Sequence, residues 1–171
     1  GDGASALAEI KTALALSPRK EGFWIEAGVT EWDMGDIESA RKSFHTAYEL
    51  GKQFPELAVY AAAGDIAAGD LAAADKLLLD VYGTIAVDTD ILAAAYYRTK
   101  NWPRLIALLK ERANRPGASV EAWFSLAAAY YTAGDRASAI RTINAAVALY
   151  PSAAATGADA IRQIEASITG K

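Results

Sequence analysis

Residues 120–153 read VEAWFSLAAAYYTAGDRASAIRTINAAVALYPSA, and this stretch decides the fold. Its first half places apolar side chains such as Trp123 and Tyr130 at helical spacing. Gly134 can adopt the left-handed conformation that ends a helix, and Asp135 can cap the helix that follows. The stretch therefore predicts two helices joined by a tight turn, a unit that must stack on neighbours to bury its apolar face.

Glycine–aspartate pairs recur along the whole chain. They are Gly1-Asp2, Gly35-Asp36, Gly69-Asp70 and Gly134-Asp135. The first three pairs start 34 residues apart, and Lys100-Asn101 takes the corresponding place 34 residues before Gly134. A period of 34 residues is typical of stacked helix–turn–helix repeats. We therefore expect helix junctions near residues 34–36, 68–70, 99–101 and 133–135.

The unit from residue 120 to 153 resembles the tetratricopeptide repeat, whose pattern is W-x2-L-G-x2-Y, then A-x3-F, then a terminal proline. The matching residues are Trp123, Leu126, Ala127, Tyr130, Ala139, Ile143, Ala146 and Pro151. The unit that begins near Glu21 is similar through Trp24, Gly28, Ala40, Phe44 and Ala47. There, Glu31 stands at the place of the tyrosine, a departure that we expect to open the packing.

The resemblance implies an all-α fold, a right-handed superhelical solenoid with a C-terminal capping helix. We expect a single solenoid over residues 1–171. Its predicted parts are a half repeat over 1–20, complete repeats over 21–54, 55–85, 86–119 and 120–153, and the capping helix over 154–171. Ile161, Ile164 and Ile168 lie on one face of that helix, and Gln163 lies on another.

Composition and charge narrow the possible functions. The chain has no cysteine, which excludes disulfides and thiolate chemistry, and no apolar run long enough to cross a membrane. Residues 1–90 carry 16 acidic and 7 basic side chains, a net charge of −9, whereas residues 91–171 carry a net charge of +5. A net-acidic chain without a dense basic run is a poor nucleic-acid binder. The opposed charges instead favour oriented contacts with proteins.

We find no pattern that predicts catalysis, a cofactor or a metal. His45 is the only histidine, and we expect it at the surface with no chemical role. The acidic residues Glu31, Asp33, Asp36 and Glu38 lack the spacing of a calcium loop, and helix capping accounts better for them. We therefore predict that the chain is not an enzyme.

In tetratricopeptide domains the first helix of each repeat lines a concave groove. This resemblance implies an apolar and aromatic groove that binds a protein or peptide segment. Its predicted residues are Ile25, Val29, Trp32, Asp33, Val59, Ala63, Ile66, Asp90, Ala94, Tyr97, Arg98, Phe124, Ala128, Tyr131 and Thr132. The cationic clamp with which some members of the family bind chaperone tails is absent from these places, so we expect an apolar segment as the partner.

Several short runs are similar to the repeat tails of bacterial O-antigen-ligase-like membrane proteins. Examples are the run from Ala15 to Lys20 and the run from Ser125 to Tyr130. This similarity implies a soluble tail of a membrane glycan ligase or polymerase, tethered through a part of the protein outside this sequence. The alternative function is a structural module that self-associates weakly through its open N-terminal end, at Leu7, Ile10 and Leu14, and through the opposed charges of its two halves.

Overall fold

The computed structural model describes residues 2–169, with side chains as far as Ser167. Gly1, the side chains of Ile168 and Thr169, and the last two residues of the predicted capping segment lie outside the described part. The α-helices are α1 (Gly3–Leu16), α2 (Glu21–Asp33), α3 (Ile37–Leu50), α4 (Pro55–Ala67), α5 (Leu71–Tyr82), α6 (Asp90–Arg98), α7 (Trp102–Ala113), α8 (Val120–Thr132), α9 (Arg136–Leu149) and α10 (Ala154–Thr169). A 3₁₀ turn at Pro151–Ala153 precedes α10, and residues 2–169 contain no strand. The predicted all-helical fold class is confirmed.

The predicted helix junctions coincide with turns of one kind. Gly35, Gly69 and Gly134 have φ values of 84°, 83° and 86°, in the left-handed region. The aspartate after each glycine caps the next helix; Asp135, for example, accepts from the backbone N–H of Ser138 at 2.9 Å. Hydrogen bonds from the hydroxyl and the backbone N–H of Ser138 also lower the pKa of Asp135. Local sequence is therefore sufficient to break the chain into helices at the predicted places.

Lys100 adopts the same left-handed conformation without being a glycine. Its φ is 56°, the only positive value among the described residues other than glycine. Asn101 follows it and caps α7 by accepting from the N–H of Arg104. The turn therefore keeps the geometry of the other junctions, at the conformational cost that a side chain with a Cβ incurs there.

Exchanging the residue types at two of these turns should move stability in opposite directions. Lys100→Gly should raise the free energy of unfolding by about 0.5–1 kcal/mol, because it relieves the left-handed strain. Gly134→Val should lower it by about 1 kcal/mol or more. No atom lies within 4 Å of the position that a Cβ at Gly134 would take, so this loss is conformational and not steric. Urea denaturation of both variants tests the pair, and two neutral effects would contradict this account of the turns.

The helices form two compact units, residues 1–100 and residues 101–171. The division falls between α6 and α7, the two helices of the predicted repeat over 86–119. In the first unit, α3 packs between α2 and α4, and α4 also packs against α5 and α6. In the second unit, α8 packs against α7 and α9, and α10 packs against α9. No helix in the described part is long and apolar enough to cross a bilayer.

Two expectations about the first unit are modified by its packing. Glu31 is buried, and its carboxylate accepts a hydrogen bond of 2.7 Å from the hydroxyl of Ser43 on α3. The expectation that Glu31 opens the packing was therefore wrong, because Ser43 supplies a polar partner of the right size.

The expected open N-terminal end lies on α1. There, Leu14 is buried against the unit, while Leu7 and Ile10 are partly exposed.

Candidate partner-binding site

Four of the predicted groove residues in the first unit are buried. They are Trp32, Val59, Ala63 and Ile66. Three of the four belong to α4, which is covered by α3, α5 and α6 and leaves no free stripe along this part of the helix. The predicted exposure of these four side chains is thus corrected: in this structure they form core, and a partner could not reach them without displacing a helix.

The other predicted groove residues of this unit lie at or near the surface. Tyr97 is the most exposed of the large apolar residues among them, with 56% of its surface accessible. Val29 is also exposed, and Ile25 and Ala94 are half-buried. Asp90 is exposed in the first turn of α6. In the first unit, the accessible part of the predicted groove therefore consists of separate side chains on α2 and α6. These side chains do not form a continuous apolar groove.

Arg98 connects α6 to the end of α2. Its guanidinium lies 4.8 Å from the ring centroid of Trp32, within the range of a cation–π contact. It also donates to the carboxylate of Asp33 at 2.6 Å and to the backbone carbonyl of Trp32 at 3.4 Å. The sequence placed all three residues in the groove, and the structure brings them together, but as contacts with one another. The charges of Arg98 and Asp33 are therefore paired with each other within the unit.

The second unit gathers its predicted groove residues around a cavity. Phe124, Ala128 and Tyr131 lie on one face of α8 and line a space of about 270 Å³ between α8, α9 and α10. The remaining wall is mostly apolar, with Ala160 and Ile164 contributed by α10. Tyr131 retains 39% of its accessible surface at the edge of this space. We call this space the α8–α10 cavity.

A second, more open cavity of about 590 Å³ continues along the same face of α8. It shares Phe124 and Ala128 with the first and is closed on the other side by Ser152, Ala153 and Thr156. Thr132, the last predicted residue of this face, is exposed and donates its hydroxyl hydrogen to the carbonyl of Ala128 at 2.8 Å. The two cavities therefore form an elongated depression, the shape that suits a chain segment.

Sequence reasoning missed the contribution of α10 to this site. It treated α10 as a cap and placed Gln163 on the polar side, whereas Gln163 lines the α8–α10 cavity. The signal was present in Ile161 and Ile164, which are packed at the core of the second unit. Because Ile164 faces α9, the neighbouring Gln163 must lie on one side of that contact. Whether this side of α10 faces α8 depends on the angle at which α10 packs, which the sequence does not give.

The sequence also missed a buried polar cluster in the first unit. Asp65 on α4 is buried, and one of its carboxylate oxygens accepts from Arg41 at 2.7 Å and lies 2.8 Å from Nε2 of His45. His45 is partly exposed, as expected, yet it has this partner. The bond from Arg41 to Asp65 raises the pKa of the guanidinium, and Arg41 also donates to Asp70. The cluster joins α3 to α4.

The acidic residues considered as a metal site have separate partners. Glu31 bonds Ser43, Asp33 bonds Arg98, and Asp36 caps α3. Within residues 2–169, no group of three or more histidine or carboxylate side chains is arranged to hold a metal ion.

Comparison with known proteins agrees with the helical pattern. A sequence model of the tetratricopeptide repeat family matches residues 120–152, which cover α8 and α9. No curated protein matches the chain. Proteins built from these repeats are generally non-catalytic and bind other proteins. The left-handed glycine turn, the aspartate cap and this match together identify residues 120–152 as a tetratricopeptide repeat within an all-helical chain.

Proposed function

We propose that this chain is a non-catalytic scaffold that binds an apolar peptide segment or amphipathic helix along α8. The observation that carries the proposal is the α8–α10 cavity, in which three predicted groove residues meet apolar side chains of α10. Aromatic residues are among those that contribute most to typical protein interfaces, where they fill central pockets. Phe124 and Tyr131 are the aromatic residues that line this cavity.

The dimensions of the depression favour a segment over a compact ligand. The α8–α10 cavity alone is slightly smaller than a typical small-molecule site, but the adjoining cavity extends it along the helix. A helix laid in such a groove would bury side chains at successive turns. Gln163 offers an amide that can bond a partner's backbone, which would fix the direction of the segment.

Filling the cavity should abolish binding without unfolding the chain. Peptides selected from a random display library against the wild type should be rich in aromatic and aliphatic residues. Ala128→Trp should weaken their binding at least about tenfold, because the indole would occupy the space of the peptide's anchor. Ala128 is exposed, so the folded structure should tolerate the change. Fluorescence polarisation with a labelled peptide measures the affinity.

The matched control is Ala148→Trp, which adds the same ring to an exposed position of α9 that lines neither cavity. This variant should bind like the wild type, and thermal melts should show that both variants are folded. If the selected peptides bound Ala128→Trp as tightly as the wild type, or if selection enriched no peptide, the proposed site would be refuted.

We also propose that the scaffold belongs to a bacterial membrane protein of the O-antigen-ligase-like kind. The support is the similarity of short runs, at the end of α1 and the turn after it and in α8, to the repeat tails of such proteins. The coding sequence that flanks this chain should then encode several membrane-spanning helices, and flanks without any would reject the idea.

A further inference from the structure

The opposite side of α8 borders a pocket of different chemistry. This pocket measures about 250 Å³ and lies between α7, α8 and α9, all within the second unit. We call it the α7–α9 pocket. Trp123 and Tyr130 contribute aromatic surface to it, and none of its lining residues lines the α8–α10 cavity. Consecutive residues of α8 thus serve two separate surfaces.

The charged residues that line the α7–α9 pocket have one sign, and Asp135, whose charge interacts with Arg141, lies just outside the lining. Lys110 on α7 and Arg141 on α9 both line it, and none of its described lining residues is a carboxylate. Within the described residues, the ammonium group of Lys110 forms neither a hydrogen bond nor an ion pair with a side chain. The pocket therefore presents cationic donors beside aromatic surface.

Arg141 is held in place by the turn that begins α9. Its Nη2 donates to the hydroxyl oxygen of Ser138 at 2.8 Å, and that hydroxyl donates to the carboxylate of Asp135 at 2.6 Å. A guanidinium has five N–H donors, so this single bond leaves others for a ligand. The capping residue of the repeat thus positions a cation at the edge of the pocket.

We propose that the α7–α9 pocket is a second binding site of this chain, which takes an acidic side chain of a protein partner together with its aromatic neighbour. Lys110 and Arg141 would bind the carboxylate, and Trp123 would contact the apolar neighbour. The volume is below the range typical of small-molecule sites, so it suits one or two side chains of a larger partner. The complementary charge of an acidic segment adds specificity and speeds association.

Two matched peptides test this site on the full chain. The first is a capped pentapeptide in which two aspartates flank a phenylalanine, and the second has asparagines in place of the aspartates. In ¹H–¹⁵N spectra the acidic peptide should shift the indole signal of Trp123, which a Trp123→Phe variant assigns. The asparagine peptide should bind about tenfold more weakly than the acidic peptide. Added salt should lower the affinity of the acidic peptide, because the charges are exposed.

The variant Lys110→Gln/Arg141→Gln should weaken binding of the acidic peptide about tenfold. The control Arg136→Gln/Arg162→Gln removes the same charge from positions outside the pocket and should leave binding unchanged. Equal binding of both peptides, an unaffected Lys110/Arg141 variant, or a flat titration would overturn the proposal. Inorganic phosphate that produced the same shifts at the same concentration would show a general anion site, and would also overturn it. These variants leave the α8–α10 cavity intact, so the proposal for the α7–α9 pocket and the proposal for the α8–α10 cavity can be refuted independently.

Discussion

Replacing Phe44 with alanine is expected to lower the free energy of unfolding by about 3–5 kcal/mol. Phe44 lies at the centre of the first unit, with 0% of its surface accessible. Its ring meets Trp32 edge-on at a centroid distance of 6.1 Å and Tyr60 at 5.7 Å. Truncation would leave a cavity between α2, α3 and α4 that rigid helices could only partly close.

The ring of Phe44 occupies space that two glycines leave free. A Cβ added to Gly28 on α2 would lie 2.5 Å from the ring, and one added to Gly64 on α4 would lie 3.2 Å from it. Gly28→Ala should therefore destabilise the wild type by overpacking. In the Phe44→Ala background the same change should cost less, because the obstructing ring is gone.

Urea denaturation of the two single variants and the double variant measures this coupling. Phe54→Ala is the matched control, since Phe54 is 41% exposed and its truncation should cost clearly less than that of Phe44. If the effects of Phe44→Ala and Gly28→Ala simply added, the ring and the glycine would not be in the tight contact that the structure shows.

Removing the carboxylate of Asp65 should be nearly as damaging. Asp65→Ala is expected to cost about 3 kcal/mol, because it leaves the partly buried guanidinium of Arg41 without its main partner. The side chain of Asp65 is 1% exposed, so the ion pair lies mostly out of water. Its second carboxylate oxygen is buried and has no hydrogen-bond partner among the described residues, so Arg41 and His45 carry the whole compensation.

A double-mutant cycle with Arg41→Ala separates the pair from its surroundings. Each single change deprives the remaining charge of its main partner, although Arg41 keeps Asp70 and Asp65 keeps His45. The double variant should therefore be more stable than the sum of the two losses predicts, by about 1 kcal/mol or more. Asp80→Ala is the control, since Asp80 forms only an exposed pair with Lys76 and its loss should cost under about 1 kcal/mol. Additive losses at Asp65 and Arg41 would argue against a coupled pair.

The tetratricopeptide pattern has a tyrosine at one position of the first helix of each repeat, and two repeats of this chain have a carboxylate there. Counting back four residues from each turn, this place holds Glu31, Asp65, Tyr96 and Tyr130. All four side chains are buried or half-buried, so the position faces inward whatever its chemistry. Both carboxylates find their partners on α3, which lies between their helices: Ser43 bonds Glu31, and Arg41 and His45 bond Asp65.

The sequence by itself determined the all-helical fold class and the helix junctions near residues 34–36, 68–70, 99–101 and 133–135. Positive φ at a glycine, an aspartate cap and helical periodicity are set by residues within a few positions of one another. These local features can therefore be predicted from a single sequence. This holds even for the turn at Lys100, where the glycine is missing. The repeat over residues 120–153 was recognisable for the same reason.

Only the tertiary structure decided which inward-facing positions remain open to a partner. Trp32 was predicted to be available, but Arg98, 66 residues later in the chain, covers its ring. Ile66 was predicted likewise, and its helix is packed on several sides. Gln163 reaches the α8–α10 cavity because α10 docks at a particular angle. Accessibility is the outcome of contacts between distant segments, and periodicity within one helix cannot specify what packs against it.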